Sequence, residues 1–126
     1  MNSPATIYLV DDDISVRRGL ARVLTAAGYH VVICETPEAF LAMTPFMTPA
    51  CLLLDVRMPR MTGLELQSTL RDEGRHPPIV MVSGHADATT TERALSAGAV
   101  AVLSKPIEIQ VLVQALERGL ARDRLN

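Results

Sequence analysis

An excess of positive charge is missing from this 126-residue chain, whose formal net charge is −2. It therefore lacks the electrostatic footprint that a DNA- or RNA-binding surface needs, and no direct nucleic-acid contact is expected of it. Long apolar runs are missing too. None approaches the ~18 residues that a membrane-spanning helix requires. The start, Met1 to Ala5, has no basic segment followed by an apolar one, so no signal peptide is read there; the expected address is the cytoplasm. Cysteine is scarce. Cys34 and Cys51 each sit inside an apolar run without a His or second Cys at metal-ligand spacing, which points to two reduced, buried side chains rather than a redox pair or zinc site. Internal repeats, low-complexity tracts and linkers are absent as well.

What is present is a balanced composition, 48% hydrophobic and 21% charged, as in a globular protein rather than a disordered one. One domain spanning 1–126 is expected, burying roughly two-thirds of the surface its unfolded chain exposes.

Strand-like and helix-like segments alternate five times along the chain. Thr6–Val10 is short, β-branched and apolar; Ile14 to Ala27 follows with Val16, Leu20, Val23, Leu24 and Ala27 on one helical face, closed by Gly28. His30–Cys34 reads as a strand. Thr36-Pro37-Glu38 supplies an N-cap, a first-turn proline and an acid suited to the helix dipole, opening a short helix to about Met43. Ala50–Leu54 is the expected central strand, and Gly63 to Glu73 a helix ending at Gly74. Pro78–Val82, Asp87 to Ala97, Val100–Leu103 and Glu108 to about Ala121 complete the series. The last helix places Ile109, Leu112, Val113, Leu116 and Leu120 on its core stripe, with Val111, Ala115, Arg118 and Arg122 facing away. Apolar strands alternating with helices predict a parallel sheet covered on both faces, a doubly wound (βα)5 sandwich.

In such sheets, ligands bind beyond the carboxyl ends of the strands. Those ends carry Asp11-Asp12-Asp13, Asp55, Ser83 and Lys105. If the strands that bear them are neighbours, the polar groups converge on one edge. Two carboxylates ~4 Å apart repel by roughly 4 kcal/mol at an effective dielectric of ~20, so the cluster calls for a counter-ion. Oxygen-only ligands suit Mg²⁺ better than zinc. A carboxylate at the centre can act as a nucleophile toward a phosphoryl group, with Lys105 neutralising its oxygens and Ser83 donating a hydrogen bond. Taken singly, each residue has a plainer reading: Asp11–Asp13 as caps of the first helix, Asp55 as a turn residue, Lys105 as a strand end. Only the joint placement favours the pocket.

These residues resemble the receiver (CheY-like) domains of two-component response regulators over about the whole chain. Val10-Asp11-Asp12-Asp13 is similar to the family's acidic pair. The segment Leu53-Leu54-Asp55-Val56-Arg57-Met58-Pro59-Arg60-Met61-Thr62-Gly63 resembles its phosphoacceptor segment, Val82-Ser83-Gly84-His85 its hydroxyl switch position, and Leu103-Ser104-Lys105-Pro106 its lysine–proline signature. The resemblance implies a flavodoxin-like sheet in order 2-1-3-4-5. It implies Asp55 as phosphoacceptor, Mg²⁺ held by Asp12, Asp55 and the Arg57 backbone carbonyl with Asp11 acting through water, Ser83 and Lys105 on the phosphoryl oxygens, and a cis bond before Pro106. The donor would be a phosphohistidine on a sensor histidine kinase, or a small acyl phosphate. The protein would be a signalling phosphoacceptor rather than an enzyme with a turnover substrate, catalysing only its own phosphorylation and dephosphorylation.

Val102 departs from the family, which commonly has an aromatic there that swings inward on phosphorylation; Ile107 is a smaller departure of the same kind. A switch would then work through the fourth helix, whose Thr89-Thr90-Thr91 run has poor helix propensity. Arg57 and His85, each two residues past a site residue, are expected to modulate the lifetime of the phospho-form. Arg17, Arg18 and Arg22 on the first helix form either a solvated face or a docking surface for the kinase. The fourth helix, fifth strand and fifth helix suit a symmetric homodimer contact on activation. Ser83-Gly84-His85 and Thr36-Pro37-Glu38-Ala39-Phe40-Leu41 are similar to the FixJ-type transcriptional regulators, so the chain is either a stand-alone receiver or, the preferred reading, an excised part of a longer regulator. Two other classes compete with the phospho-switch, an enzyme and a binding module, the latter either a flavin carrier or a receiver that signals without phosphate. An aspartyl-phosphate phosphatase would want an acid where Arg57 stands, and a flavin carrier a phosphate loop where Asp11–Asp13 would repel it. A receiver-like interaction module that signals without phosphorylation remains as the alternative.

Overall fold

The computed structural model of the chain describes residues 4–43, 46–74, 76–84 and 87–125. Ten elements alternate strictly: β1 (Thr6–Val10), α1 (Ile14–Ala26), β2 (His30–Cys34), α2 (Pro37–Leu41), β3 (Ala50–Asp55), α3 (Gly63–Glu73), β4 (Ile79–Ser83), α4 (Ala88–Ser96), β5 (Ala101–Ser104) and α5 (Ile109–Leu125). All strand pairs are parallel and the order is β2-β1-β3-β4-β5, the doubly wound arrangement expected from the alternation, in the flavodoxin-like order that the resemblance implies.

Each strand sends successive side chains to opposite faces. Ile7, Leu9, Cys51, Leu53, Val80 and Val82 pack beneath α1 and α5. Tyr8, Val10, Leu52, Leu54 and Met81 pack beneath α2, α3 and α4 with Phe40, Leu66, Leu70 and Ala94. The three central strands are buried throughout. The edge strands are not: Ile33 of β2 is exposed and Val102 of β5 only half-buried, because an edge strand has a neighbour on one side only.

Helix starts follow side-chain chemistry. Asp13 caps α1 by accepting the Val16 N–H, and Thr36 caps α2 by accepting from Ala39. Thr62 and Glu65 form a reciprocal capping box on α3. Asp87 accepts the Thr90 N–H at 2.7 Å on α4, which lowers its pKa below the ordinary aspartate value.

Helix α5 corrects the sequence reading in two ways. It runs to Leu125, beyond Ala121, because Asp123 in its last turn accepts the buried Ala50 N–H at 2.7 Å. Its core face is also rotated: Ala115 and Gly119 are buried while Ile109 is exposed. Small residues let the helix approach β3 closely, and a Cβ added at Gly119 would lie 2.7 Å from Cys51 Sγ. Ala27, expected on the core face of α1, is likewise exposed as its C-cap residue, and α2 ends at Leu41 rather than Met43. Cys34 and Cys51 are free thiols buried on opposite faces of the sheet, and burial pushes them up to about 11 and about 12 respectively.

Gly119→Ala is therefore expected to cost about 1–3 kcal/mol in urea unfolding. Combined with Cys51→Ala, the loss should be less than the sum of the single changes by about 0.5 kcal/mol or more; additive losses would show that this contact does not limit the approach of α5.

Candidate functional site

The register sets three polar side chains side by side at the carboxyl edge. Asp55 ends β3 and pairs with Val82, Ser83 ends β4 and pairs with Ser104, and Lys105 follows directly. The Lys105 N–H donates to the Ser83 carbonyl at 2.9 Å and the Val56 N–H to the Val82 carbonyl at 2.9 Å, so the strand ends are tied together past the last ladder bonds. The Lys105–Pro106 peptide is cis. From β1, the adjacent Asp11 and Asp12 join the group. One carboxylate oxygen from each of Asp11, Asp12 and Asp55 lies within 4.8 Å of the others.

Of the three consecutive aspartates, only Asp13 caps a helix. Asp11 is fully buried, and Asp12 is exposed at the pocket mouth. Asp11 Oδ1 accepts the Asp13 N–H at 2.9 Å. Its Oδ2 is buried without any hydrogen bond, the Lys105 ammonium standing 3.8 Å away. Burial pushes the Asp11 pKa above the ordinary value, against the pull of the Asp13 N–H and with the added repulsion of Asp55. Asp55 is better supported: Oδ2 accepts from Lys105 Nζ at 3.1 Å and Oδ1 from the Arg57 N–H at 3.1 Å. Partial burial pulls the Lys105 pKa down, but the hydrogen bond and charge of Asp55, with Asp11 and Asp13 behind, leave it raised. Ser83 is buried beside this group.

A buried carboxylate oxygen without a donor, in an all-oxygen set, fits a hard divalent cation. Gly63 lets the following helix start close by, since a Cβ there would meet the Asp55 carbonyl at 2.8 Å.

The structure thus brings together Asp11, Asp12, Asp55, Ser83 and Lys105. Arg57 is exposed on the loop after β3, and Val102 packs half-buried against the α2–α4 side of the core. His85 lies outside the described residues. Two contacts had no reading in the sequence. Arg17 Nη1 donates to the Asp11 main-chain carbonyl at 3.0 Å, and the buried Gln67 of α3 donates from Nε2 to the Ala94 carbonyl at 3.0 Å. The first lay hidden because an arginine on a polar helix face looks solvated; the second had a signal, an uncharged amide next to Leu66 on the core stripe.

A parallel doubly wound sheet with a carboxylate pocket and a lysine at its carboxyl edge is the architecture of CheY-like α/β proteins. The model of the response regulator receiver domain matches residues 7–117, and the chain belongs to that family. The transcriptional regulatory protein FixJ of Rhizobium meliloti (strain 1021) is 40% identical over 114 residues, covering 90% of this chain and 56% of that protein. Nodulation protein W of Bradyrhizobium diazoefficiens is 38% identical over 123 residues, 98% of this chain and 54% of that one. The crystal structure of FixJ-N superposes with a TM-score of 0.87 at 38% identity, covering 96% of each chain. The chain spans about half the length of the curated relatives it matches.

The raised Asp11 pKa gives a signed expectation. Between the ordinary value of 3.8 and the raised folded one, the native state binds more protons than the unfolded state, so stability falls as pH rises through that window. In EDTA, Asp11→Asn should stabilise the protein at neutral pH, and the gain should vanish as pH falls through the window. Chemical unfolding across pH measures this; a gain that does not depend on pH would contradict it.

Proposed function

We propose that this domain is a Mg²⁺-dependent phospho-switch that accepts a phosphoryl group on Asp55 from a phosphohistidine of a sensor histidine kinase and controls an output, by analogy with FixJ transcription. The observation that carries the reading is the Asp55 carboxylate, held by Lys105 at 3.1 Å within 4.8 Å of two other acids. Asp11, Asp12, Asp55 and the Arg57 carbonyl would hold the cation, which when bound neutralises the pocket and the incoming phosphoryl oxygens. An Asp55 oxygen attacks phosphorus, the P–N bond to the donor imidazole breaks, and the imidazole leaves with its electron pair. Lys105 moves with the new charge and Ser83 donates to a phosphoryl oxygen. Arg57 and His85 modulate the attack of water that reverses the step. The cytoplasm is the compartment such a partner requires.

Without an aromatic at Val102, the conformational response falls to α4. The Ala94 carbonyl accepts both the buried Gln67 amide and the Ala99 N–H at 3.0 Å, which anchors the far end of the helix to α3. The end nearest the pocket starts at the exposed Asp87 cap and the Thr89–Thr91 run. Phosphorylation accordingly swings the Asp87 end while the Ala94 end stays, reshaping the α4–β5–α5 face that forms a homodimer contact.

Incubation with a small acyl phosphate and Mg²⁺ should add the mass of one phosphoryl group in a hydroxylamine-labile form, lost in Asp55→Asn and in EDTA. Absence of the adduct in the wild-type protein, with the output intact, would favour a module that signals without phosphate. For the helix, hydrogen exchange on phosphorylation should rise at the Thr90 and Thr91 amides, which Asp87 accepts, and not at Ala97, Gly98 and Ala99, whose acceptors lie at the anchored end; in Gln67→Leu the increase should extend to these as well. An unchanged pattern in that variant overturns the anchor.

A further inference from the structure

Asp12 is the least supported of the three clustered acids. It is exposed, and no hydrogen bond to its side chain forms among the described residues. Its carboxylate therefore goes where its main chain puts it, and two peptide units decide that. The unit after Asp12 carries the Asp13 N–H, bound by Asp11 Oδ1 at 2.9 Å. The unit before it carries the Asp11 carbonyl, bound by Arg17 Nη1 at 3.0 Å. Asp12 is pinned from both sides, and one of the pins is a side chain six residues beyond Asp11, from the start of α1.

Arg17 is half-buried, and among the described residues no carboxylate lies within ion-pair distance of it. Its main-chain N–H meanwhile donates to the Asp13 carbonyl at 2.9 Å in the helix ladder. Main chain and side chain of one residue thus grip the acid-bearing turn at two points, and α1, packed on the sheet through Leu20 and Leu24, supplies the rigid backing. We propose that Arg17 is a positioning residue for the acidic pocket: by holding the Asp11 carbonyl it keeps the Asp12 carboxylate at the spacing from Asp55 that a divalent cation needs. The inference rests on the magnesium reading given above.

The sign of one measurement separates this role from plain electrostatics. Removing a positive charge from the rim of an acidic pocket strengthens cation binding, by about twofold once solvent screening is counted. Releasing the turn weakens it, and lost outer contacts to metal ligands typically cost on the order of 10-fold or more. Arg17→Met keeps the apolar stem and removes both the charge and the donors.

Magnesium affinity is read by calorimetry, and manganese by EPR, on the unphosphorylated chain, with the melting midpoint in EDTA recorded for each variant. Arg17→Met should bind both cations roughly 10-fold more weakly, and Arg17→Lys, with the same charge and one usable donor, should recover most of the loss. Arg18→Gln, one residue on and exposed, should bind with wild-type affinity or slightly tighter. Should Arg17→Met fail to fold, Arg17→Ala takes its place with the same expectation. Wild-type or tighter binding in the charge-removing variant overturns the positioning role. A wild-type protein that binds neither cation would instead remove the magnesium reading beneath it.

Discussion

Repulsion between carboxylates at the ends of β1 and β3 is the constraint around which the pocket is built. Three acids with oxygens inside 4.8 Å would separate in water, and they stay together here because the sheet leaves them no choice. Adjacent parallel strands deliver Asp11 and Asp55 to the same edge, and the buried flanks of both strands fix the register. The compensations are unequal. Asp55 receives the Lys105 ammonium and an N–H, while one oxygen of Asp11 is left bare. That imbalance is what a cation would remove, and it concentrates the uncompensated charge at the carboxyl edge of the sheet.

The rest of the fold supplies the leverage. Burial of the β1, β3 and β4 side chains on both faces holds the pocket on rigid elements, and Lys105 reaches it from β5, whose own outer side is half-covered. Helices α1 and α5 back one face and α2 to α4 the other. The pocket therefore sits between a side that is firmly packed and a side where α4 touches the core through Ala94.

How much of this could be read from the residues alone follows from which signals are local. The alternation of apolar strands and amphipathic helices is local, so element order and the clustering of Asp11, Asp12, Asp55, Ser83 and Lys105 at one edge were legible. The cap residues Asp13 and Thr36 were local too. What failed depended on tertiary distance. Hydrophobicity placed Ile109 inside and Ala115 outside, but helix α5 lies too close to β3 for bulk at its contact line, so alanine and glycine face inward. The edge strands β2 and β5 read like buried ones because an apolar run does not announce which strands lack a neighbour; only the family resemblance implied that these two lie at the edges. Arg17 was read as a surface charge because its acceptor is a main-chain carbonyl, which any residue could have supplied.

The link between Asp123 and the Ala50 N–H has a bearing on where this module can be cut. Ala50 is the first residue of the central strand and fully buried, so its amide has no water to turn to; an orphaned amide there would cost about 1–3 kcal/mol. Recognisable family sequence ends at residue 117, six positions before the acceptor. A chimera joined at that conserved limit would discard the stitch between the last helix and the strand whose opposite tip bears Asp55. Grafting this receiver onto a foreign output is better done with the junction placed after the final turn of α5.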